Sequence, residues 1–381
     1  MKQEASMQQL PIVDGQMPMM EAAVSAPPTV RRRRTWHIVL ILLFFAAVIP
    51  ETIVTTSTSV AKMIAQPVSL IFLMLFYGLA DLLIREALIR RHLGWVSLVL
   101  FGIAFGFINE GVLAGTWYTV KPDGYIYIGQ INYAWAVALT VFHVFISVIL
   151  PIAFIETIFP SRAGMPLLRR RGIVISAVLF LLLTAIFLFA ASYRPYRIVV
   201  YALALALTVI ALRLPSTRII HTLTTRPVPG LWKLRWAGFF TMLSYFLLIY
   251  RIPTITLKLA GPHKIAAQGA DIALFLLFSA LLLRIGRRWT AHAGWSLRHT
   301  LALITGMMAF STLITVVIPV FWPALELFAT IPFFVLLIAL NLRLRRRERA
   351  LGGSTAHFLV NGDATHDEGD PQDFDGRRYL A

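Results

Sequence analysis

The sequence predicts an all-α, polytopic transmembrane helix bundle, and three observations predict it. Of 381 residues, 58% are hydrophobic and only 14% charged, against roughly 25% charged in an average soluble domain. Apolar runs of about 20 residues recur along most of the chain, each long enough to cross a hydrocarbon core of about 30 Å as a helix. Lys and Arg gather in every second connecting segment, as they do on the cytoplasmic side of membrane proteins.

Residues 1–34 form a polar, Met- and Pro-containing arm ending in Arg31 to Arg34. With no apolar period to bury, it is expected to be disordered and cytoplasmic. The run WHIVLILLFFAAVIPETIV that follows has the charge-then-apolar order of a signal peptide. No small-residue cleavage site comes after it, so it reads as a retained first helix. Ten spans are expected, over about 36–54, 65–84, 95–117, 134–158, 172–192, 197–212, 236–252, 266–284, 299–321 and 322–342. They make a transmembrane domain of residues 35–345, followed by a Gly-rich, acidic tail over 346–381 that is expected to be a disordered, solvated segment. No internal repeat relates the two halves.

With the amino terminus inside, only Lys62, Lys121, Arg194, Arg197, Arg251, Lys258 and Lys264 of the 35 basic residues fall outside. A missed or invented span would reverse every later loop and destroy this bias, so both termini are expected to be cytoplasmic. The net charge of +17 is spread over all the inner loops. It forms no single stripe for nucleic acid, and the partner it implies is the anionic inner leaflet of the cell (inner) membrane. The absence of cysteine removes disulfides and thiolate chemistry. No G-x-x-x-x-G-K-[ST] loop or G-x-S-x-G elbow is present, and no cofactor is expected.

An ionisable side chain inside a span costs roughly 2.5 to 3.5 kcal/mol on insertion scales, so each one is a candidate functional group. The stretch GFINEGVLAG in the third span carries Asn109 and Glu110, and the fourth carries His143. At 1.5 Å per residue, Glu110 and His143 lie about 10 and 14 Å below the outer surface on consecutive antiparallel helices. Asn109, Glu110 and His143 are therefore the candidate substrate or proton site, with Glu51, Asp271 and Glu326 as further candidates in the outer half. One His and one Glu leave a Zn²⁺ short of ligands, so no metal is expected. On the inner side, Asp81 and Arg85 are four apart on one helical face and are expected to pair, with Glu156 as a second partner. Glu86 and Arg90 repeat the spacing and are expected at the interface.

Gly102 and Gly106, then Gly111 and Gly115, form two small-xxx-small pairs that allow close helix approach, which predicts a central third span. Pro151 and Pro332 predict kinks. Trp117, Tyr118, Tyr125, Tyr127, Tyr133 and Trp135 crowd the outer loop between spans 3 and 4, either as an interfacial belt or as a lid over the Glu110 and His143 site.

The blocks IPETIVTTSTS, YGLADLLIREALIRRHLGWVSL, FGFINEGVLAGTWY and NYAWAVALTVFHVFISVILPIAFIETIFPSR resemble, over about residues 45–162, an uncharacterised family of bacterial multi-pass membrane proteins. The resemblance implies a membrane bundle and no known activity. In that family the acidic spot often reads Glu-Glu-Gly; here Asn109 replaces the first carboxylate, which puts in doubt any mechanism that needs two. A fainter similarity is to CAAX-processing and bacteriocin-protection proteases, with motifs E-E-x-x-x-R, F-x-x-x-H and H-x-x-x-N. Here Glu86 and Arg90 keep part of the first, Leu139 replaces the Phe before His143, Ser147 stands where Asn would, and the second His motif has no match. The leading functional expectation is a transporter or permease type of membrane protein using Glu110 and His143. An intramembrane enzyme with Glu110 as general base and a membrane scaffold are the alternatives.

Overall fold

The computed structural model describes residues 35–54, 65–119, 127–190, 194–215, 228–251, 262–292, 294–317 and 327–360, with isolated positions 62 and 192. The arm over 1–34, the tail beyond 360, Tyr125 and Glu326 lie outside the described residues.

Over this range the chain is helices joined by loops, with one isolated bridge between Ile128 and Ile131. Helix α1 (Trp36–Val48) continues as a π-helical turn over Ile49–Val54, and α2 covers Pro67–Arg91. Helix α3 (Trp95–Gly106) likewise runs into a π-helical turn, Phe107–Leu113, followed by the one-turn helix α4 (Thr116–Thr119). The fourth span is built of α5 (Tyr133–Phe142), a π-helical turn (His143–Ile149) and α6 (Leu150–Ile158). Then come α7 (Arg170–Ala190), α8 (Arg194–Arg213), α9 (Leu231–Phe246) with a π-helical end at Leu247–Arg251, α10 (Pro262–Thr290), α11 (Leu297–Val317) and α12 (Leu327–Val360).

Among the described residues, eight stretches are long and apolar enough to cross a membrane: Trp36–Val54, Pro67–Arg91, Trp95–Leu113, Tyr133–Ile158, Arg170–Phe189, Arg194–Arg213, His263–Thr290 and Leu297–Ile314. The expected seventh and tenth spans are also helical but are not among these eight. Helix α9 takes Lys233 and Arg235 into its first turns. Helix α12 is described from Leu327, residues 318–326 lying outside the described residues, and it continues through the arginines after Leu342 as far as Val360, so no helix end falls at 345.

The third and fourth spans lie at the centre: 67% and 72% of their most apolar windows are buried, against 17% for Arg170–Phe189 and His263–Thr290. Glycine makes that centre possible. A Cβ on Gly102 would lie 2.9 Å from Val144 Cα, and one on Gly106 would lie 3.2 Å from Thr140 Cα and 3.3 Å from His143 Cβ. The first small-residue pair therefore seats α3 directly on the fourth span. The second pair faces α8, where a Cβ on Gly111 would meet Val200 at 2.7 Å and Gly115 adopts φ +67, a conformation that only glycine takes readily.

A second close crossing joins α9 and α11. A Cβ on Gly238 would lie 3.0 Å from Met307 N, and one on Gly306 would lie 2.7 Å from the Arg235 carbonyl carbon. Backbone cannot withdraw as a side chain can, so Gly306→Ala is expected to destabilise the bundle by about 1 to 3 kcal/mol. Thermal unfolding in detergent should show a lowered midpoint for Gly306→Ala and little change for Gly286→Ala, where a Cβ meets nothing within 4 Å.

Candidate functional site

Three of the π-helical turns bring their polar residues to one place. A π turn inserts an extra residue into the helical register, re-aims the side chains around it, and is frequent at functional positions. Here the turns hold Glu51, then Asn109 and Glu110, then His143 and Ser147. Proline accompanies two of them: Pro50 lies within the first, and Pro151, which lacks an N–H to donate to the preceding turn, opens α6 directly after the third.

His143 joins the groups. Its Nε2 lies 2.8 Å from Glu110 Oε1 and 3.0 Å from Asn109 Nδ2, and its Nδ1 lies 2.8 Å from Ser147 Oγ. The Asn109 amide also donates to the Tyr77 hydroxyl at 2.7 Å, and that hydroxyl donates to Glu51. The Thr116 hydroxyl donates to the other oxygen of Glu110. Tyr77, Asn109, His143 and Ser147 are buried, while the Glu110 side chain keeps 11% of its exposure. Glu110 is thus the most open of these five.

A single ring nitrogen cannot serve both neighbours at once. When Nε2 carries a proton it donates to Glu110 and the Asn109 amide is left to Tyr77. When Nε2 is bare and Glu110 holds the proton, the direction of that bond reverses. The arrangement can therefore hold one proton in either of two places about 2.8 Å apart.

The end of the third span is fixed by an arginine. Arg197, buried on α8, donates to the carbonyls of Val112 and Leu113, the latter at 3.3 Å. These are carbonyls that the end of the π turn leaves free of helical partners. Gly115 then turns the chain so that Thr116 returns to Glu110. Trp117 and Tyr118 are buried, and Trp117 packs edge-on against Phe107 at 5.1 Å, whereas Tyr133 is exposed. The first two are therefore packed into the bundle beside α8, and Tyr133 has the exposure of a belt residue. Burial pushes the Tyr118 phenol up to about 12 against the opposing pull of Arg197, so it stays neutral.

A second polar group occupies the arginine-rich end. Arg85 reaches across to Glu156, with Nε and Nη2 each 2.6 Å from Oε1, and Glu156 Oε2 accepts the Gly164 N–H at 2.9 Å. Glu86 accepts the N–H groups of Leu167 at 2.5 Å and Leu168 at 3.2 Å and is bridged by Arg90 at 2.8 Å. These bonds clamp the segment after α6 onto the end of α2. Two expectations are corrected. Arg85 pairs with Glu156 and not with Asp81, because the α6 carboxylate meets the Nε–Nη2 edge of the guanidinium while Asp81 sits one turn deeper in its own helix. Glu86 is buried rather than interfacial, because it satisfies loop N–H groups that would otherwise be orphaned.

Of the other sequence candidates, Glu51 joins the cluster. Asp271 is buried on α10, and its Oδ2 has no hydrogen-bond partner among the described residues. Sequence reasoning missed Tyr77, Ser147, Thr116 and Arg197. The signal for Ser147 is its i, i+4 spacing from His143, and for Tyr77 the same spacing from Asp81. The protease-like pieces are separated, with Glu86 and Arg90 at the arginine-rich end and His143 in the other cluster. An apolar groove of about 920 Å³ lined by Phe107, Thr140 and Val200 has none of the cluster's carboxylates on its wall.

These features define a polytopic helical membrane protein with a buried, hydrogen-bonded carboxylate–imidazole cluster. The profile of an uncharacterized membrane protein family matches residues 40–360, and the chain belongs to that family. No curated protein and no solved structure matches it.

The buried pair at the arginine-rich end carries a prediction. Removing one partner of such a pair strands the other charge at a cost of about 3 to 5 kcal/mol, while replacing both with apolar residues costs far less. Thermal melts should therefore rank Arg85→Met well below the wild type, with the Arg85→Met/Glu156→Met double variant partly restored.

Proposed function

We propose that this membrane protein is of the transporter or permease type, sits in the bacterial inner membrane with both termini cytoplasmic, and takes up protons at Glu110 and His143. The observation that carries the reading is the Glu110–His143 contact of 2.8 Å on two adjacent π-helical turns. A carboxyl and an imidazole, each able to carry a proton, held at hydrogen-bond distance inside a bundle, are the parts of a proton-binding site. Tyr77 and Ser147 orient the neighbours: Ser147 holds Nδ1 of the ring, and Tyr77 connects Asn109 to Glu51. The distribution of Lys and Arg over alternate loops supports the orientation.

Full-length protein reconstituted into liposomes that enclose a pH-sensitive dye tests this reading under an imposed pH gradient. Wild type is expected to dissipate the gradient faster than protein-free liposomes. Glu110→Gln should fall to the protein-free rate while keeping its unfolding midpoint, since the amide preserves shape and the Thr116 contact. A Glu110→Gln protein that moves protons at the wild-type rate contradicts the proposal. A lowered midpoint in both Glu110→Gln and His143→Gln with no change in flux assigns the pair to helix packing, as the scaffold alternative requires.

A further inference from the structure

The Glu110–His143 site leaves one buried carboxylate of α2 unused. Asp81 is fully buried, and neither of its carboxyl oxygens has a hydrogen-bond partner among the described residues. Structural carboxylates of this chain look different: Glu86 and Glu156 each accept two or more donors. Asp81 staples nothing.

Its position is specific. Tyr77, Asp81 and Arg85 stand at successive i, i+4 places on α2, about 6 Å apart along the axis and on one face. Tyr77 is bonded into the Glu110–His143 cluster, and Arg85 into the pair with Glu156. The same face of α2 therefore touches both polar groups, and Asp81 lies between them. Each end has an approach. Glu110 retains exposure at one end, and at the other a cavity of about 460 Å³ has Arg85 and Glu156 on its wall.

We infer that Asp81 is a proton-carrying group that connects the two clusters into one path through the bundle, an inference that rests on the proton-site reading of Glu110 and His143. An isolated buried carboxylate ion is costly and the neutral acid is not, and ionisable residues in such places mark proton relays. Asp81 is the neutral acid at rest. Its O–H bond breaks as the proton passes to the Glu156 carboxylate, and a proton from Glu110 or His143, relayed by water, re-forms the Asp81 O–H bond. Glu156 releases its proton into the cavity and regains its ion pair with Arg85, and Glu110 or His143 takes up a new proton from the opposite side. No other atom changes hands.

The experiment uses the full-length protein in the dye-loaded liposomes, with Asp81→Asn, Asp81→Glu and Glu110→Gln. Loss of a proton carrier should lower the flux of Asp81→Asn by about tenfold or more, with Asp81→Glu recovering a measurable part. The unfolding midpoint of Asp81→Asn should be at or above the wild-type value, because an unpaired carboxyl is removed. The infrared stretch of a protonated carboxyl should disappear in Asp81→Asn, persist in Glu110→Gln and shift on transfer to D₂O. Wild-type flux in Asp81→Asn overturns the inference, as does a wild-type protein no faster than protein-free liposomes. A lowered midpoint with no recovery by Asp81→Glu also overturns it and assigns Asp81 to packing. Loss of flux in Glu110→Gln alone leaves the first site standing without this path; loss in Asp81→Asn alone leaves the path and removes Glu110.

Discussion

The close seating of α3 on the fourth span, through Gly102 and Gly106, fixes the geometry of everything built around it. With Val144, Thr140 and His143 within about 3 Å of where a Cβ would stand, the two backbones approach as only glycine permits. That approach puts the π turn of the third span beside that of the fourth, so that Glu110 and His143 meet directly. A side chain at Gly106 would press on Thr140 Cα at 3.2 Å and on His143 Cβ at 3.3 Å, and so on the turn that carries the imidazole. The burial of these two spans follows from the same contact, and it shields the cluster from lipid.

From that contact the polar network extends in two directions along α2. Toward one end, Tyr77 gathers Asn109 and Glu51; toward the other, Arg85 and Glu86 clamp the segment after α6. In a membrane interior each polar group needs a partner, and nearly all of these have one. Asp81 stands apart from this satisfaction. Arg197 plays the complementary part, holding carbonyls at the end of the third span and thereby keeping the Gly115 turn and Thr116 in place. The cluster is thus organised by backbone devices, namely three π turns, one left-handed glycine and a capping arginine.

Much of this is legible in the sequence, and the parts that are not have a common cause. Span positions and the depth match of Glu110 and His143 follow from rise per residue along single helices, and the glycine pairs from spacing alone. Which helices meet laterally is decided by packing, which periodicity does not encode. Hence the role of Tyr77, an aromatic in an apolar run, shows in the chain only as its i, i+4 spacing from Asp81. The choice of Glu156 over Asp81 by Arg85 is open for the same reason, since both satisfy their distance rules. Helix α9 starts ahead of its expected span because its first turns carry Lys233 and Arg235 before the apolar run begins. The π turns have no sequence signal beyond nearby proline.

Whether Glu110 and His143 share an exchangeable proton is read most directly by nitrogen NMR of histidine-labelled protein in bilayers. The His143 ring nitrogens, assigned by their loss in His143→Gln, should show Nε2 exchanging between protonated and bare forms, and that exchange should change when Glu110 is replaced by Gln. An Nε2 signal fixed in one form, or ring signals identical in wild type and Glu110→Gln, would contradict a shared proton.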